Sequence, residues 1–221
     1  MTELENRRPL KTRGKGWSQR LAARLARMGV SPDLISGASV TIAILGGALL
    51  CWTGMLAGPE RVICLFLAAV CIQLRLLANM MDGMVAVEHS LGSPYGPIWN
   101  ELPDRIADLL FLAGAGYGAA AAGHGLGSAL GWLCAVLAVL TAYIRELGRS
   151  LGHPADFRGP MAKPHRMFAL TVACVVAMFE PLWGWRGQTF MIALAIIAIG
   201  AILTAGRRTA LLARRLRDAA A

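Results

Sequence analysis

Charged residues, and acidic residues above all, are scarce in this chain. Only 16% of its 221 residues are charged, 56% are hydrophobic, and 13 Asp and Glu stand against 22 Lys and Arg. A soluble domain of this size rarely has such a composition. Several runs without Asp, Glu, Lys or Arg have the roughly 20 residues that a helix needs to cross a bilayer. We therefore expect a single all-α integral membrane domain.

Paired cysteines are also absent. No Cys-x-x-Cys pair occurs, which argues against a thiol redox motif or a cysteine-rich zinc site. The five cysteines lie inside apolar stretches, where we interpret them as small buried hydrophobic residues. They are Cys51, Cys64, Cys71, Cys134 and Cys174. We expect no cleavable signal peptide, because about 30 polar and basic residues precede the first apolar run.

The net charge of +9 comes from Lys and Arg that cluster near the termini and the expected helix ends. Membrane topology and anionic lipid headgroups explain this pattern better than nucleic acid does. Residues 17–28 place Leu21 and Leu25 on one side of a helix and Arg20 and Arg24 on the other. This spacing predicts an amphipathic helix at the membrane surface. A basic flank that only fixes the topology is the alternative.

The alternation of basic-rich and basic-poor segments predicts about six membrane-spanning helices. Both termini and the acid-rich central segment would then face the cytoplasm, in the cell (inner) membrane. The expected spans are 34–52, 62–81, 97–122 or 103–122, 129–144, 167–179 and 190–205. The predicted organisation is a basic tail and amphipathic helix in 1–30, a transmembrane domain in 31–206 and a basic cytoplasmic tail in 207–221.

Acids, amides and glycines are concentrated in residues 79–108. Asn79 and Asp82 are three residues apart, and Asn100, Asp104 and Asp108 follow at intervals of four. Each set shares one helix face, so we expect two helices, joined by a loop over 83–96, that present polar rows to each other.

Carboxylate and amide oxygens are the ligands that Mg²⁺ or Mn²⁺ prefers. Two such ions could clamp a diphosphate and stabilise displacement at phosphorus. Gly83 and Gly96 would let a ligand approach the backbone. The alternative is a buried polar network that only holds helices together. Arg75 lies on the face of Asn79 and Asp82, so it either reaches the headgroups or belongs to the polar site.

This segment resembles the signature of the CDP-alcohol phosphatidyltransferases, D-x2-D-G-x2-A-R-x8-G-x3-D-x3-D. Every spacing is kept, and five of the eight signature identities are kept. The aligned residues are Asn79, Asp82, Gly83, Ala86, Val87, Gly96, Asn100 and Asp104. Two flanking segments are also similar to the family: residues 31–36, at the start of the first span, and the basic residues of 145–166.

The resemblance implies a phospholipid-synthesising enzyme. Family members use magnesium or manganese to transfer a phosphatidyl group from CDP-diacylglycerol to the hydroxyl of a small alcohol, with release of CMP. By position, Asn79, Asp82, Asn100 and Asp104 would hold the metal, and Asp104 would also be the catalytic base. The CDP site would comprise Asp82, Gly83, Ala86 and Gly96.

The acceptor is less defined. Arg145, Arg149, Lys163 and Arg166 could bind the phosphate of a phosphorylated alcohol, although topology explains the same charges. Glycerol phosphate, inositol phosphate and serine are the candidates, and the basic segment slightly favours glycerol phosphate. The resemblance to this family implies a homodimer, and the small residues of the third span are compatible with one.

Three signature positions differ from the family, since Asn79 and Asn100 replace acids and Val87 replaces arginine. Asp108, one turn beyond Asp104, could restore charge to the metal site. The alternatives are an active but rearranged site, a site with one metal, and a catalytically inactive membrane scaffold. A transporter with a polar site at the membrane midplane fits less well, because the acids cluster at predicted helix ends.

Overall fold

The structure, a computed structural model, describes residues 16–88 and 91–220. The predicted basic tail at 1–15 lies outside the described residues. The described part of the chain is helical and contains no strand. Its α-helices are α1 (Gly16–Arg27), α2 (Pro32–Trp52), α3 (Gly58–Glu88), α4 (Gly96–Ala121), α5 (Gly127–Ser150), α6 (Lys163–Ala177) and α7 (Gln188–Ala220), and a short 3-10 helix covers Glu180–Trp183.

Four of these helices, α2, α3, α5 and α7, are long and apolar enough to cross a membrane. Large apolar side chains such as Ile44, Phe66 and Ile199 are more than half exposed on their outer faces, as expected for a surface that contacts lipid. The predicted class of all-α integral membrane protein is confirmed. The remaining two expected spans are α4, which carries several charges, and α6, which has only 15 residues. The count of six spans and the cytoplasmic termini stay predictions.

Two predicted helix ends are wrong. The second span was expected to end at Met81, but α3 continues to Glu88, so residues 83–88 of the predicted loop over 83–96 are helical. The predicted C-terminal tail from residue 207 is also helical, since α7 runs to Ala220. Arg, Leu and Ala are good helix formers, and the charges at these helix ends do not interrupt the backbone hydrogen bonds.

Local sequence explains where α2 begins. The Ser31 hydroxyl accepts a hydrogen bond from the backbone N–H of Leu34 at 3.2 Å, which is a standard N-cap. Pro32 occupies the first turn, where its missing N–H costs nothing. The capped start directs the following turn of α2, which carries Ser36, towards the end of α3.

Close packing of α2, α4 and α5 depends on glycine. A Cβ atom on Gly114 would lie 2.5 Å from the carbonyl oxygen of Gly47, and one on Gly116 would lie 2.7 Å from the Cα of Gly131. The small residues of α4 therefore pack against α2 and α5 within the chain. A homodimer stays a prediction.

Helix α1 is amphipathic as predicted, and its apolar side packs against α3. Ala22 is fully buried in a cluster with Met80, Met84 and Val85, and Leu25 packs at its edge. The contact lies beside Asp82, so α1 covers the part of α3 that carries the signature residues.

Candidate active site

The signature residues Asn79 and Asp82 lie on one face of α3. Asp82 is only 5% exposed, and its Oδ2 accepts a hydrogen bond from the Ser36 hydroxyl at 2.6 Å. Among the described residues, no cation forms an ion pair with Asp82. Asn79 lies one turn earlier on the same face and is half-buried. Asp82 is thus a positioned carboxylate whose charge is not neutralised by direct pairing.

Asp104 of α4 is in the opposite situation. It is buried, and its Oδ1 forms ion pairs with both Arg75 of α3 and Lys163 of α6. A third cation, Arg105, lies 3.6 Å from Oδ2. Arg75, Asp104 and Lys163 therefore form one buried cluster, which joins α4 to the face of α3 that also carries Asp82. The metal-binding and nucleotide-binding roles of the signature residues stay predictions.

Arg75 turns into this cluster rather than towards the headgroups. Its side chain is 1% exposed, and its Nη2 donates to Asp104. The other two guanidinium nitrogens, Nε and Nη1, are buried and have no hydrogen-bond partner among the described residues. A buried donor without a partner is costly, so these two nitrogens mark a place where a ligand oxygen would be stabilised.

Asp108 and Arg166 form a separate buried ion pair. The Arg166 Nη2 lies 2.8 Å from Asp108 Oδ2, and both side chains are nearly inaccessible. Arg166 also donates to the Met161 carbonyl at 2.9 Å and to Thr141 Oγ1 at 3.2 Å. A metal contact by Asp108, or a phosphate contact by Arg166, would require this ion pair to open, and both roles stay predictions.

The other two predicted phosphate-binding residues lie at a more exposed edge of α5. Arg145 pairs with Glu101 of α4 at 2.5 Å and with Glu146 at 2.8 Å. Arg149 is 44% exposed and pairs with Glu146 at 2.9 Å. Arg145 thus connects α5 to the segment of α4 that carries Asn100 and Asp104, whereas Arg149 stays outside the buried cluster.

The predicted nucleotide-binding residues lie at the end of α3 and the start of α4. Gly83 and Ala86 lie half-buried in the last turns of α3, and Gly96 begins α4. A Cβ atom on Gly96 would meet nothing within 4 Å. The fold itself therefore does not require glycine at position 96, which is compatible with a ligand-facing role.

The donor set fits a hard cation only in part. Within 16–88 and 91–220, no group of three or more His, Cys, Asp or Glu side chains could hold a metal ion. The carboxylate of Asp82, with amide oxygens from Asn79 and Asn100, is the set that suits Mg²⁺ or Mn²⁺. Asn100 is exposed at the start of α4.

One residue of the candidate site, Ser36, was not predicted from the sequence. Ser36 orients Asp82, yet nothing in the sequence assigned it a role beyond its place in the family-like segment 31–36. Its position about one turn into α2 was the available signal. A hydroxyl in the first turns of a membrane helix beside a polar helix end is a candidate partner for a buried acid.

The chain is 26% identical over 193 residues to the phosphatidylinositol phosphate synthase of Mycolicibacterium smegmatis, covering 85% of this chain and 79% of the relative. It is 27% identical over 203 residues to the enzyme of the same name from Streptomyces avermitilis, covering 90% and 78%. No family model matches the chain.

Two solved structures have a fold similar to that of this chain. The manganese and citrate complex of Mycobacterium tuberculosis phosphatidylinositol phosphate synthase has a TM-score of 0.73 at 22% identity, covering 88% of both chains. Its complex with CDP-DAG gives 0.71 at 22% identity, covering 88% of this chain and 92% of that one. This chain shares the fold of a phosphatidylinositol phosphate synthase. Those enzymes are CDP-alcohol phosphatidyltransferases, the family that the signature resembles.

Proposed function

We propose that this protein is a CDP-alcohol phosphatidyltransferase. It transfers a phosphatidyl group from CDP-diacylglycerol to the hydroxyl of a small alcohol and releases CMP. The observation that carries the proposal is the buried cluster of Arg75, Asp104 and Lys163, which joins α3 to α4, the two helices whose residue spacing matches the family signature. The sequence relatives and the shared fold support it.

The reaction forms one bond and breaks one. The acceptor hydroxyl attacks the phosphorus that carries the diacylglycerol, a new P–O bond forms, and the P–O bond to CMP breaks with its electrons leaving on CMP. Asp104 takes the hydroxyl proton as general base. Arg75 and Lys163 both pair with its Oδ1, so that the proton acceptor is fixed before the alcohol arrives.

A divalent cation belongs to the proposal, since a solved neighbour carries manganese. Asp82, Asn79 and Asn100 would hold it, and when bound it would neutralise charge on the diphosphate. Ser36 fixes the orientation of Asp82. Gly83, Ala86 and Gly96 would leave room for the cytidine nucleotide at the ends of α3 and α4.

The acceptor that we propose is a phosphorylated alcohol. The relatives are named phosphatidylinositol phosphate synthases. The product in that name contains an inositol phosphate group, which favours inositol phosphate over glycerol phosphate or serine as the acceptor. Arg145, Arg149 and Lys163 supply positive charge around the cluster, and Arg166 would join them if its pair with Asp108 opens. Guanidinium groups suit phosphate recognition.

The test is CMP release by purified protein in liposomes with CDP-diacylglycerol, Mn²⁺ or Mg²⁺, and a panel of alcohols. The panel contains inositol phosphate, glycerol phosphate, inositol and serine. We expect release that depends on inositol phosphate and is lost in Asp104→Asn. Release with serine or free inositol alone would contradict the phosphorylated acceptor while leaving the transfer reaction standing.

A non-catalytic scaffold is the second candidate. Two observations favour it: two signature acids are Asn79 and Asn100, and Asp104 is already paired with Arg75 and Lys163. This candidate predicts that the folded protein binds CDP-diacylglycerol but releases no CMP with any acceptor in the panel.

We further propose that residues 31–206 form the transmembrane domain of a multi-pass protein of the cell (inner) membrane, with both termini cytoplasmic. The clustering of basic residues at the termini supports this orientation. Reporter domains fused after residue 221 and within 123–126 should report opposite sides of the membrane, and reports from the same side would contradict the proposed topology.

A further inference from the structure

The two signature carboxylates differ in the charges that surround them. Asp104 has Arg75 and Lys163 on a single oxygen and Arg105 on the other side. Asp82 has a hydroxyl partner and no ion pair among the described residues. The positive charge that a phosphatidyltransferase site needs is therefore already built into the protein at Asp104 but not at Asp82.

Arg75 is the residue with unused capacity. It is buried, only one of its three guanidinium nitrogens has a partner in the described part of the chain, and the other two are closed off from water. Burial of a charged donor without compensation is unfavourable. Guanidinium N–H groups form strong hydrogen bonds with phosphate oxygens. The lysine ammonium beside it also has three donors, and Asp104 can occupy only part of them.

A second divalent cation fits this half of the site poorly. Asn79 and Asn100 remove two of the negative charges of the family signature. An ion placed at Asp104 would have to compete with two fixed cations for the same oxygen, and it would be repelled by both at short range and low dielectric. At Asp82 no ion pair with a described residue competes for the carboxylate.

We propose that Arg75 and Lys163 take the place of one of two metal ions. They bind phosphate oxygens of the diphosphate in the CDP-lipid, and the site holds a single divalent cation, at Asp82. This inference rests on the proposed function, and it assigns the neutralisation of the diphosphate to one metal ion and two side chains. The two buried cations then supply the positive charge of the second metal ion, whose acidic ligands are replaced by Asn79 and Asn100.

The first test counts metal ions on the purified full chain in detergent. Mn²⁺ is titrated, unbound ion is removed, and the bound ion is quantified and examined by electron paramagnetic resonance. We expect one Mn²⁺ per chain with the six-line spectrum of an isolated ion. Two ions per chain with an exchange-coupled spectrum would overturn the inference, and CMP release by the same sample would show that the transfer reaction itself still stands. Absence of bound Mn²⁺ would overturn it as well.

The second test asks whether the side chains bind phosphate without metal. CDP binding is measured calorimetrically in EDTA. Arg75→Gln and Lys163→Gln should each weaken binding at least about tenfold, because each removes a charged donor. Arg75→Lys, which keeps the charge but lacks the planar fork, should fall between Arg75→Gln and the unmodified protein.

The matched control is Arg158→Gln, which removes an arginine that is 72% exposed and paired with Asp156. It should leave CDP affinity unchanged. Equal affinities for the unmodified protein, Arg75→Gln and Lys163→Gln would overturn the inference. The metal count on the unmodified protein keeps it falsifiable if a variant does not fold.

Discussion

Two buried ion networks contact α3, one at its start and one just past its middle, and they are built differently. Near its start, Arg61 pairs with Glu180 at 2.5 Å, and its other two guanidinium nitrogens donate to the carbonyls of Thr53 and Ala177. Glu180 also accepts from the backbone N–H groups of Gly187 and Thr189, both at 2.8 Å. Every guanidinium nitrogen and both carboxylate oxygens of the pair are used.

The network around Arg75, past the middle of α3, is incomplete. Among the residues that the structure describes, two buried nitrogens of Arg75 have no partner, and neither do Asp108 Oδ1 and Arg166 Nε of the neighbouring ion pair. A complete buried network is a means of holding helices together. An incomplete one costs stability within the protein alone, and the cost is recovered when a ligand supplies the missing partners. We therefore interpret the network of Arg61 and Glu180 as structural and propose that the network of Arg75 and Asp104 binds a ligand.

The largest expected effect is at the incomplete network. Asp82→Ala and Asp104→Ala should each reduce CMP release by at least about a thousandfold, because one removes the proposed metal ligand and the other the general base. Asp82→Ala removes no ion pair among the described residues and should change the unfolding temperature in detergent little. Asp104→Ala also leaves buried Arg75 and Lys163 without their counter-charge and should lower it, so its activity is compared per folded protein. Full activity in either variant would remove the basis for assigning the active site to this cluster.

The complete network should respond in the reverse way. Glu180→Gln removes the charge that compensates buried Arg61 and should lower the free energy of unfolding by about 3 kcal/mol. Denaturant unfolding in detergent measures this change. The fraction that remains folded should keep the Mn²⁺ and CDP affinities of the unmodified protein. A selective loss of CDP affinity would show that the two networks are coupled.

The pH dependence of stability sharpens the comparison. Burial raises the pKa of Glu180, but hydrogen bonds from Gly187, Thr189 and Arg61 outweigh it and hold the pKa below its ordinary value. The group therefore stabilises the fold at pH values above its unfolded pKa of about 4.3. This contribution is lost as the pH falls through the lower folded pKa. The stability gap between the unmodified protein and Glu180→Gln should shrink below about pH 4, and a gap that widens there would contradict the sign.

A smaller effect is expected for Asp108→Ala. If Asp108 supplies charge to the metal, Mn²⁺ affinity should fall by about tenfold, the lower end of the range for outer-shell partners. The variant also leaves Arg166 unpaired, so stability must be measured beside it. An unchanged Mn²⁺ titration would reject the metal role and leave Asp108 as the partner of Arg166.

The smallest effect is predicted for restoring the family acids. Asn79→Asp combined with Asn100→Asp should be tolerated or modestly activating, because both changes return charge to a metal site that already suits oxygen ligands. Collapse of CMP release in this double variant would show that the asparagines have a role of their own.

Much of this architecture follows from local sequence. Apolar runs predict the helices, and the intervals between Asn79 and Asp82 and between Asn100 and Asp104 predict two polar faces that meet. The partners of the acids could not be predicted this way. Lys163 is far from Asp104 in the chain, and Glu180 is separated from Arg61 by 119 residues, so their pairing depends on helix packing that no local pattern specifies.

The C-terminal ends of α3 and α7 could not be predicted from local sequence either. Charge and glycine after Met81, and arginines after residue 206, suggested loops or tails, yet the helices continue. Arg208 explains part of this for α7, since its side chain donates to the carbonyls of Arg158 and Thr141. Tertiary contacts thus keep a polar helix end in place, and composition alone does not reveal them.

The central claim is tested most directly by following both products of the reaction in liposomes. CDP-diacylglycerol, Mn²⁺ and inositol phosphate are supplied to the unmodified protein and to Asp104→Asn, which has nearly the same shape. We predict that the unmodified protein forms a phosphate-bearing inositol lipid and CMP in equal amounts, and that Asp104→Asn forms neither. CDP-lipid binding without either product, by folded protein and with every acceptor in the panel, would contradict the account and assign the protein to the non-catalytic scaffolds.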